Sequence, residues 1–276
     1  MSKPFADNAR VSFSTQGIPQ VASGFSKFEV HSTPKYAVGF KIEDYNGNIY
    51  RYAHFSANVN RGVLLSPELA TTGLDDTDNV VTPTASVVNS GDNALGSKYV
   101  ELNVSAIASV LANDYQGGRL VITDDTGEGY TYDILGNTAK GNPSGSLARI
   151  TLRDPLQASL DATTDLSVQS NRWSNLKIAT ATDTDVVGVS CVTMAVATSM
   201  YGWIQTKGVV GILQDGAIPV GAPVQLSDGV SGAVQMMGGS TVSAVAAGDL
   251  ITEPIIGWCV MSGDTTGAGT FRIDVD

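Results

Sequence analysis

The feature that most limits the fold is a pair of alternating apolar runs on either side of Asn46-Gly47. The first run, YAVGFKIED, covers residues 36–44, and the second, IYRYAHF, covers residues 49–55. Alternation of apolar and polar residues is the period of a β-strand, and Asn-Gly readily adopts the positive φ angles of a two-residue hairpin turn. These residues therefore predict an antiparallel β-hairpin.

Short strands and turns continue through the rest of the sequence. Further strand signals are KYVELNV, LARITL and DLSVQS, and RLVITDDTGEGYTYDILGNT predicts a second hairpin around Asp125-Thr126-Gly127. A nearly continuous strand-and-turn pattern follows, in which Asp215-Gly216 and Asp228-Gly229 lie thirteen residues apart. One segment, residues 105–113, favours a short helix with a serine N-cap. The pattern predicts an all-β protein of small β-barrel or sandwich lobes, with at most one or two short helices.

Composition divides the chain into three regions. Residues 1–27 are polar with little periodicity and predict an extended N-terminal arm. Residues 71–97 are rich in Thr, Asp, Asn, Gly and Ser and indicate a loop or domain boundary. We predict a β-barrel domain from residues 28–70 together with 181–276, and an inserted β-rich lobe at residues 71–180. Whether these form one barrel or two domains stays open.

The charge balance argues against nucleic acid and membranes as partners. The chain has 27 acidic and 16 basic residues and a formal net charge of -11. Phosphate backbones and anionic lipids both require clustered Lys and Arg. The N-terminal residues lack the apolar run of a signal peptide, and no stretch reaches the ~20 apolar residues of a membrane span. We therefore expect a soluble protein made in a cytoplasm.

Few residues offer catalytic or metal-binding chemistry. Cys191 and Cys259 each lie in an apolar stretch, which favours two buried free thiols over a disulfide. His54 lies in an aromatic strand and is expected to be packed or exposed rather than catalytic, and His31 is expected in a loop. Neither Cys-x-x-Cys nor His-Glu-x-x-His spacing occurs, so no zinc site is predicted.

Three acidic clusters could be proposed as calcium loops, at residues 75–78, 124–128 and 183–185. None has the ligand order of an EF-hand, and Asp and Gly are good turn formers in their own right. We interpret these clusters as solvated turns. The sequence predicts no catalytic residue, no metal and no cofactor.

The aromatic residues are the last group that could bind a partner. Tyr201, Trp203 and Trp258 lie in apolar strands and are expected in the core, because stacking platforms for single-stranded nucleic acid alternate with basic residues. Trp173 has polar neighbours in SNRWSNLK and is the predicted surface contact.

Three regions of the sequence resemble capsid decoration (cement) proteins of tailed phages. KYAVGFKIEDYNGNIYRYAHF is similar to the opening of such proteins, which often carry a G-x-x-x-E-D-x-x-G-x-x-Y-R-Y pattern. YQGGRLVITDDTGEGYTYDILGNTA, followed by DPLQASLDATTDL, is similar to their middle part, and YGWIQTKGVVGILQDGAIPVGAPV to their C-terminal barrel. The resemblance implies a non-enzymatic virion protein that binds the major capsid protein on the outer surface of the expanded lattice. It also implies a homo-oligomer, with a trimer as the expected state.

The N-terminal arm is the predicted capsid contact. An extended segment can add a strand to an exposed sheet edge of a neighbouring subunit. Phe5, Val11, Phe13 and Ile18 are apolar residues spaced along this otherwise polar segment. Deletion of residues 1–20 is expected to abolish capsid binding and to leave the fold intact, and a disordered tail is the alternative interpretation.

Other functions remain open from the sequence. A tail, head-fibre or receptor- or glycan-binding virion protein is the main alternative, although the chain has no fibre repeats or coiled-coil stem. A major capsid protein would need a long helix, and a depolymerase would need carboxylates that converge in a cleft. Neither the lattice position nor the host can be read from the residues.

Overall fold

A computed structural model describes residues 11–13, 19–21, 26–67, 93–104, 110–141, 145, 147–161, 164–183, 185–195, 200–237, 255–265 and 267–276. These residues form eighteen β-strands and no helix, which confirms the predicted all-β class with barrel-like lobes. The predicted helix at residues 105–113 lies partly outside the described residues. Its described part, residues 110–113, is not helical.

The chain divides into two compact units. Unit 1 comprises residues 1–68 and 173–276, and unit 2 comprises residues 69–172. Unit 2 therefore ends before the boundary predicted at residue 180, because Leu176–Ile178 pairs with strands of unit 1.

The strands are numbered in chain order through both units. They are β1 (Val11–Phe13), β2 (Pro19–Val21), β3 (Val30–His31), β4 (Lys41–Glu43), β5 (Ile49–Phe55), β6 (Leu64–Pro67), β7 (Tyr99–Asn103), β8 (Arg119–Asp124), β9 (Thr131–Asn137), β10 (Leu147–Leu152), β11 (Asp165–Gln169), β12 (Leu176–Ile178), β13 (Gly188–Ser190), β14 (Met200–Leu213), β15 (Pro223–Leu226), β16 (Val234–Met236), β17 (Gly257–Met261) and β18 (Ala268–Asp274). Strands β7 to β11 belong to unit 2, and the other thirteen form the sheet of unit 1.

Five strands of unit 1 form a closed ring. β5 pairs with β12, β12 with β6, β6 with β13, β13 with β14, and β14 pairs back with β5. Ring closure removes sheet edges whose free backbone groups could otherwise pair with strands of other chains. The core of this first ring contains Trp203, which is 0% exposed. The Trp203 ring centroid lies 5.1 Å from that of Tyr52 and 5.3 Å from that of Tyr36, so aromatic packing fills the interior.

β14 continues into a second ring. Its C-terminal half pairs with β18, which is followed by β17, β15 and β16. A parallel bridge between Val234 of β16 and Gln214, the residue after β14, completes the circuit. Phe271 and Ile212 are fully buried in the core of this ring. At 14 residues, β14 is long enough to contribute to both rings.

β6 contributes to both cores of unit 1. Successive side chains of a strand point to opposite faces of the sheet. Leu64 accordingly packs in the core of the second ring, and Leu65 packs in the core of the first ring. Both leucines are 0% exposed, so this strand has no solvated face at these two positions.

The hairpin predicted around Asn46-Gly47 is present as β4 and β5, with Ile42 opposite Tyr50. The Asp44 carboxylate stabilises the turn by accepting hydrogen bonds from the backbone N–H groups of Asn46 at 2.8 Å and Asn48 at 2.9 Å. The first strand is shorter than predicted, because residues 36–40 contain a turn and are not in a strand, although Gly39 and Phe40 keep backbone hydrogen bonds to Tyr52 of β5. Tyr36 packs against the Tyr52 and Trp203 rings in the core of the first ring.

The described N-terminal residues form two short strands, where the sequence predicted a single extended segment. β1 pairs antiparallel with β2, with Val11 opposite Val21 and Phe13 opposite Pro19. β2 then pairs in parallel with β4 through Gln20 and Glu43. Among the described residues β1 pairs only with β2, so β1 is the edge strand of the sheet.

Unit 2 is a five-stranded antiparallel sheet in the order β11-β8-β9-β10-β7. The predicted β8–β9 hairpin is present, and its tip contains residues 125–130. Alternation along both strands places Leu120, Ile122, Tyr132 and Ile134 in the core. The strand signals in KYVELNV, LARITL and DLSVQS correspond to β7, β10 and β11.

Candidate interaction surfaces

Two of the four predicted arm contacts fall within the described residues. Val11 and Phe13 lie in β1, at the edge of the unit 1 sheet. Phe5 and Ile18 lie outside the described residues. The backbone of an edge strand presents N–H and C=O groups that can pair with another strand.

Trp173, the predicted surface contact, packs against its own unit. It is half-buried beside the core of the first ring. The Arg51 guanidinium lies 4.9 Å from its ring centroid, within range of a cation–π interaction. A methyl group added at Gly39 would lie 2.7 Å from the indole Cδ1, which shows how closely the backbone approaches this ring. The indole therefore stabilises the turn at Gly39 and strand β5 by packing against them.

Trp258 is the exposed tryptophan, contrary to the prediction that it lies in the core. It is 49% exposed, whereas its neighbours Gly257 and Cys259 are buried. The register of the second ring places Val209 of β14, Arg272 of β18 and Trp258 of β17 in one row. Directly opposed residues of an antiparallel sheet point to the same side, so these three side chains share the outer face.

The same face includes two further exposed apolar residues. Met261 lies opposite Thr270 and is 62% exposed, and Val260 lies at the irregularity between the paired positions. We call Val209, Trp258, Val260, Met261 and Arg272 together the Trp258 face. Contiguous exposed apolar residues commonly mark interaction sites, and Trp, Met and Arg are enriched at the centres of protein interfaces.

The described residues of the Trp258 face include no acidic side chain. Arg272 forms no ion pair with any other described residue. At the end of the face, the Lys207 Nζ donates a hydrogen bond to the Asp274 carboxylate at 2.8 Å, so these two charges offset each other. Among the five residues that define the face, Arg272 therefore carries the one charge.

Both histidines are packed against tyrosines of the first ring. His31 lies in β3 rather than in the predicted loop, with its Nδ1 2.9 Å from the Tyr52 hydroxyl and its Nε2 3.4 Å from a Glu29 carboxylate oxygen. The His54 ring centroid lies 4.9 Å from that of Tyr201, as expected for a packed residue. These contacts place the histidines in an aromatic structural cluster.

The cysteines are two buried free thiols, as predicted. Burial raises the pKa of the Cys191 thiol to about 12 and also raises the pKa of the Cys259 thiol. A thiol nucleophile acts as the thiolate. Both cysteines are therefore in the unreactive protonated form at neutral pH.

The structure describes one of the three acidic clusters in full and one in part. Residues 75–78 lie outside the described residues. Asp124 is the last residue of β8, and residues 125–128 lie at the tip of the β8–β9 hairpin, as the turn interpretation predicted. Burial raises the pKa of Asp183, but hydrogen bonds from Thr180 and Ser66 and the charge of Lys177 outweigh it, so the pKa is lowered. Among the described residues no group of three or more His, Cys, Asp and Glu side chains could hold a metal ion.

A shallow pocket of about 310 Å³ is lined by Ser26, Lys27, Phe28, Asp44 and Tyr50. Its polar groups bind one another, since the Lys27 Nζ lies 3.4 Å from the Tyr50 hydroxyl, which donates to Asp44 at 3.3 Å. Burial, followed by the nearby Asp44 charge, raises the pKa of Tyr50 well above its usual range. The arrangement stabilises the hairpin turn and provides no pair of groups poised for acid–base exchange.

No family model, no curated protein and no solved structure matches this chain. No helix among the described residues is long and apolar enough to cross a membrane. Among the described residues, the β1 edge and the Trp258 face are two surfaces suited to binding another protein.

Proposed function

We propose that this protein is a structural component of a tailed-phage virion that binds the outer surface of the expanded capsid lattice and stabilises it across capsomer junctions. The observation that carries the proposal is the β1 edge strand, in which Val11 and Phe13 lie within the segment expected to contact the capsid. The resemblance of three sequence regions to capsid decoration proteins supports the same role.

Strand addition is the proposed mode of binding. An edge strand can pair its free backbone groups with a strand of another protein, and this gives affinity that depends little on side-chain identity. Apolar side chains of the added strand would add specificity by filling pockets on the capsid subunit. The proposed role requires no catalysis and no cofactor.

Stabilisation of the shell follows from mass action. A protein that binds the expanded lattice and not its precursor shifts the equilibrium toward the expanded form. Many copies on one shell multiply this effect without strong binding at any one site. The acid excess of the chain suits the outer surface of a shell, because an acidic protein is repelled by the phosphates of the nucleic acid packaged inside.

The test is co-sedimentation of the purified protein with expanded, undecorated capsids, with unexpanded procapsids as the control. The proposal predicts saturable binding to expanded shells only, at a fixed ratio to the capsid subunit. Absence of binding to expanded shells would contradict it and would favour a tail, fibre or glycan-binding role.

The strand-addition mode is tested with a deletion of residues 1–17, which removes β1 and leaves Pro19–Val21 in place. Capsid binding should be lost while tryptophan fluorescence stays native, because Trp203 packs against Tyr36 and Tyr52, which lie outside the deleted segment. Leu135→Ser, at an exposed position of β9, is the matched control and should bind like the wild type. Full binding by the deletion variant would show that another surface contacts the capsid.

A further inference from the structure

The turn between β4 and β5 contains a chemically labile pair of residues. Asn46-Gly47 is the one Asn-Gly dipeptide in the chain. Both residues are exposed, and nothing lies within 4 Å of the position that a Gly47 Cβ would take. Asparagine is a thermolabile residue, and a following glycine has no side chain to hinder the close approach of its backbone nitrogen. Water and the attacking nitrogen therefore both have access to the Asn46 amide.

The reaction open to this pair converts the asparagine amide into an acid. The Gly47 backbone nitrogen loses its proton and attacks the Asn46 Cγ, and the side-chain amide nitrogen takes up a proton and leaves as ammonia. The product is a five-membered succinimide ring. Water then opens the ring. Cleavage of the bond from the ring nitrogen to Cγ gives aspartate, and cleavage of the bond to the main-chain carbonyl carbon gives isoaspartate.

Asp44 restrains each backbone group that this reaction has to move. Its carbonyl oxygen accepts a hydrogen bond from the Gly47 N–H at 3.0 Å, and its carboxylate accepts one from the Asn46 N–H at 2.8 Å. The same carboxylate accepts hydrogen bonds from the backbone N–H of Asn48 at 2.9 Å and from its side-chain amide at 2.8 Å. The attacking nitrogen is thus held through the proton that it must lose.

We propose that Asn46 is a site of spontaneous deamidation and that Asp44 keeps it unreactive while the hairpin is closed. Attack on the Asn46 Cγ requires the Gly47 N–H to leave the Asp44 carbonyl and the planar peptide unit between residues 46 and 47 to rotate. Both movements open the turn, so the rate in the native protein depends on how often the turn opens locally. The inference concerns the chemical stability of the folded chain and does not depend on capsid binding.

Both products would disfavour closing of the hairpin again. Aspartate at position 46 adds a negative charge beside the Asp44 carboxylate. Isoaspartate lengthens the main chain by one carbon atom, and a tight turn determines the register of the strands that it joins. Ile42 and Tyr50, which are paired across this hairpin, both pack in the core of the first ring. Deamidation during one opening of the turn would therefore alter a core hairpin irreversibly.

The experiment measures deamidation of the full chain during incubation at mildly alkaline pH. Samples taken over time are digested with trypsin, which cleaves after Lys41 and Arg51, and mass spectrometry gives the deamidated fraction of peptide 42–51. The native wild type is compared with the wild type in urea and with native Asp44→Ala. We expect Asn46 to deamidate roughly tenfold or more faster in urea, and roughly tenfold faster in Asp44→Ala, because charge-assisted hydrogen bonds to the turn are lost.

Three controls separate the role of Asp44 from other effects. Glu43→Ala removes the adjacent carboxylate and leaves the hydrogen bonds to Asp44 in place, so it should react at the wild-type rate. Gly47→Ala should react more slowly than the wild type in urea, because its methyl group hinders the attacking nitrogen. Asn48 lies in the same peptide, is followed by a bulky isoleucine and should stay an amide. Circular dichroism and tryptophan fluorescence check that each variant is folded.

Three results would overturn the proposal. Equal rates for the wild type in native buffer and in urea would show that the closed turn gives no protection, and this comparison does not require any variant to fold. A folded Asp44→Ala that reacts at the wild-type rate would remove the role of Asp44. An Asn46 that stays an amide even in urea would remove the deamidation site itself. None of these results affects capsid co-sedimentation, so the proposed function is tested separately.

Discussion

Asp276 joins three strands of unit 1, and its contribution to stability can be worked out from its ionisation. Its carboxylate accepts hydrogen bonds from the Arg51 Nε at 2.7 Å and the Thr206 Oγ1 at 3.2 Å, and it forms an ion pair with Lys41. Burial raises the pKa of this carboxyl, but the hydrogen bonds and charges of Arg51 and Lys41 outweigh burial. They lower the pKa from 3.8 to about 2.

This change in pKa sets the size and pH range of the effect. The difference between 3.8 and about 2 corresponds to roughly 2.4 kcal/mol of stability. Because the paired cations remain partly in water, screening reduces the expected value to about 1–2 kcal/mol. The folded-state pKa lies below the unfolded one, so the contribution is complete above about pH 4 and is lost as the pH falls toward about 2.

The assay is urea unfolding of Asp276→Asn followed by tryptophan fluorescence. All three tryptophans lie in unit 1, so the signal reports that unit. The variant should lose about 1–2 kcal/mol at neutral pH, and its deficit should shrink between about pH 4 and about pH 2. Asp274→Asn is the matched control, because it removes an exposed ion pair of the same segment and should change stability little. A deficit that persists undiminished at low pH would refute the reasoning.

Three further predictions concern backbone strain, a buried charge and the thiols. Gly208 has φ +102°, and a methyl group there would lie 2.0 Å from the Asn48 Oδ1, so Gly208→Ala should lower the free energy of unfolding in urea by about 2–5 kcal/mol. Gly47 has φ +75° and open space around it, so Gly47→Ala should lower it by only about 1–2 kcal/mol. Equal losses of stability in the two variants would contradict the steric argument. In unit 2 the Arg149 Nη2 lies 2.5 Å from the Glu101 Oε1, and Glu101 is 1% exposed, so Arg149→Met should cost about 3–5 kcal/mol by circular dichroism. Arg153→Met, which breaks an exposed bridge to Asp133, should cost about 1 kcal/mol or less, and similar values for the two would disprove the role of burial. Cys191 and Cys259 should react with a thiol reagent slowly in the native protein and rapidly after unfolding, and fast native labelling would show that these thiols are accessible.

Local patterns predicted much of the fold. The Asn46-Gly47 hairpin and the β8–β9 hairpin were predictable because turn residues and flanking alternation lie within one short segment. The ring closures could not be predicted, because they join segments far apart in the chain, such as β5 with β14. The helix expected at residues 105–113 rested on local propensity, and its described part shows no helix.

The exposure of Trp258 was wrongly predicted, for a related reason. Trp258 lies among apolar residues, and hydrophobicity alone placed it in the core. The available signal was alternation, since Gly257 and Cys259 point inward and Trp258 points outward. Phe271, Arg272 and Ile273 repeat this pattern in β18. That Arg272 and Trp258 are neighbours depends on the strand register, which no local pattern specifies.

The position of β6 between two cores places an unusual constraint on insertions and deletions. Removing one residue before Leu64 would exchange the sides on which Leu64 and Leu65 point. In a strand with one solvent-exposed face, such a shift disrupts the packing of one core, but in β6 it would disrupt the packing of two cores at once. We therefore expect insertions and deletions in unit 1 to be tolerated in the turns and not in β6, because the packing of both cores fixes the register of this strand.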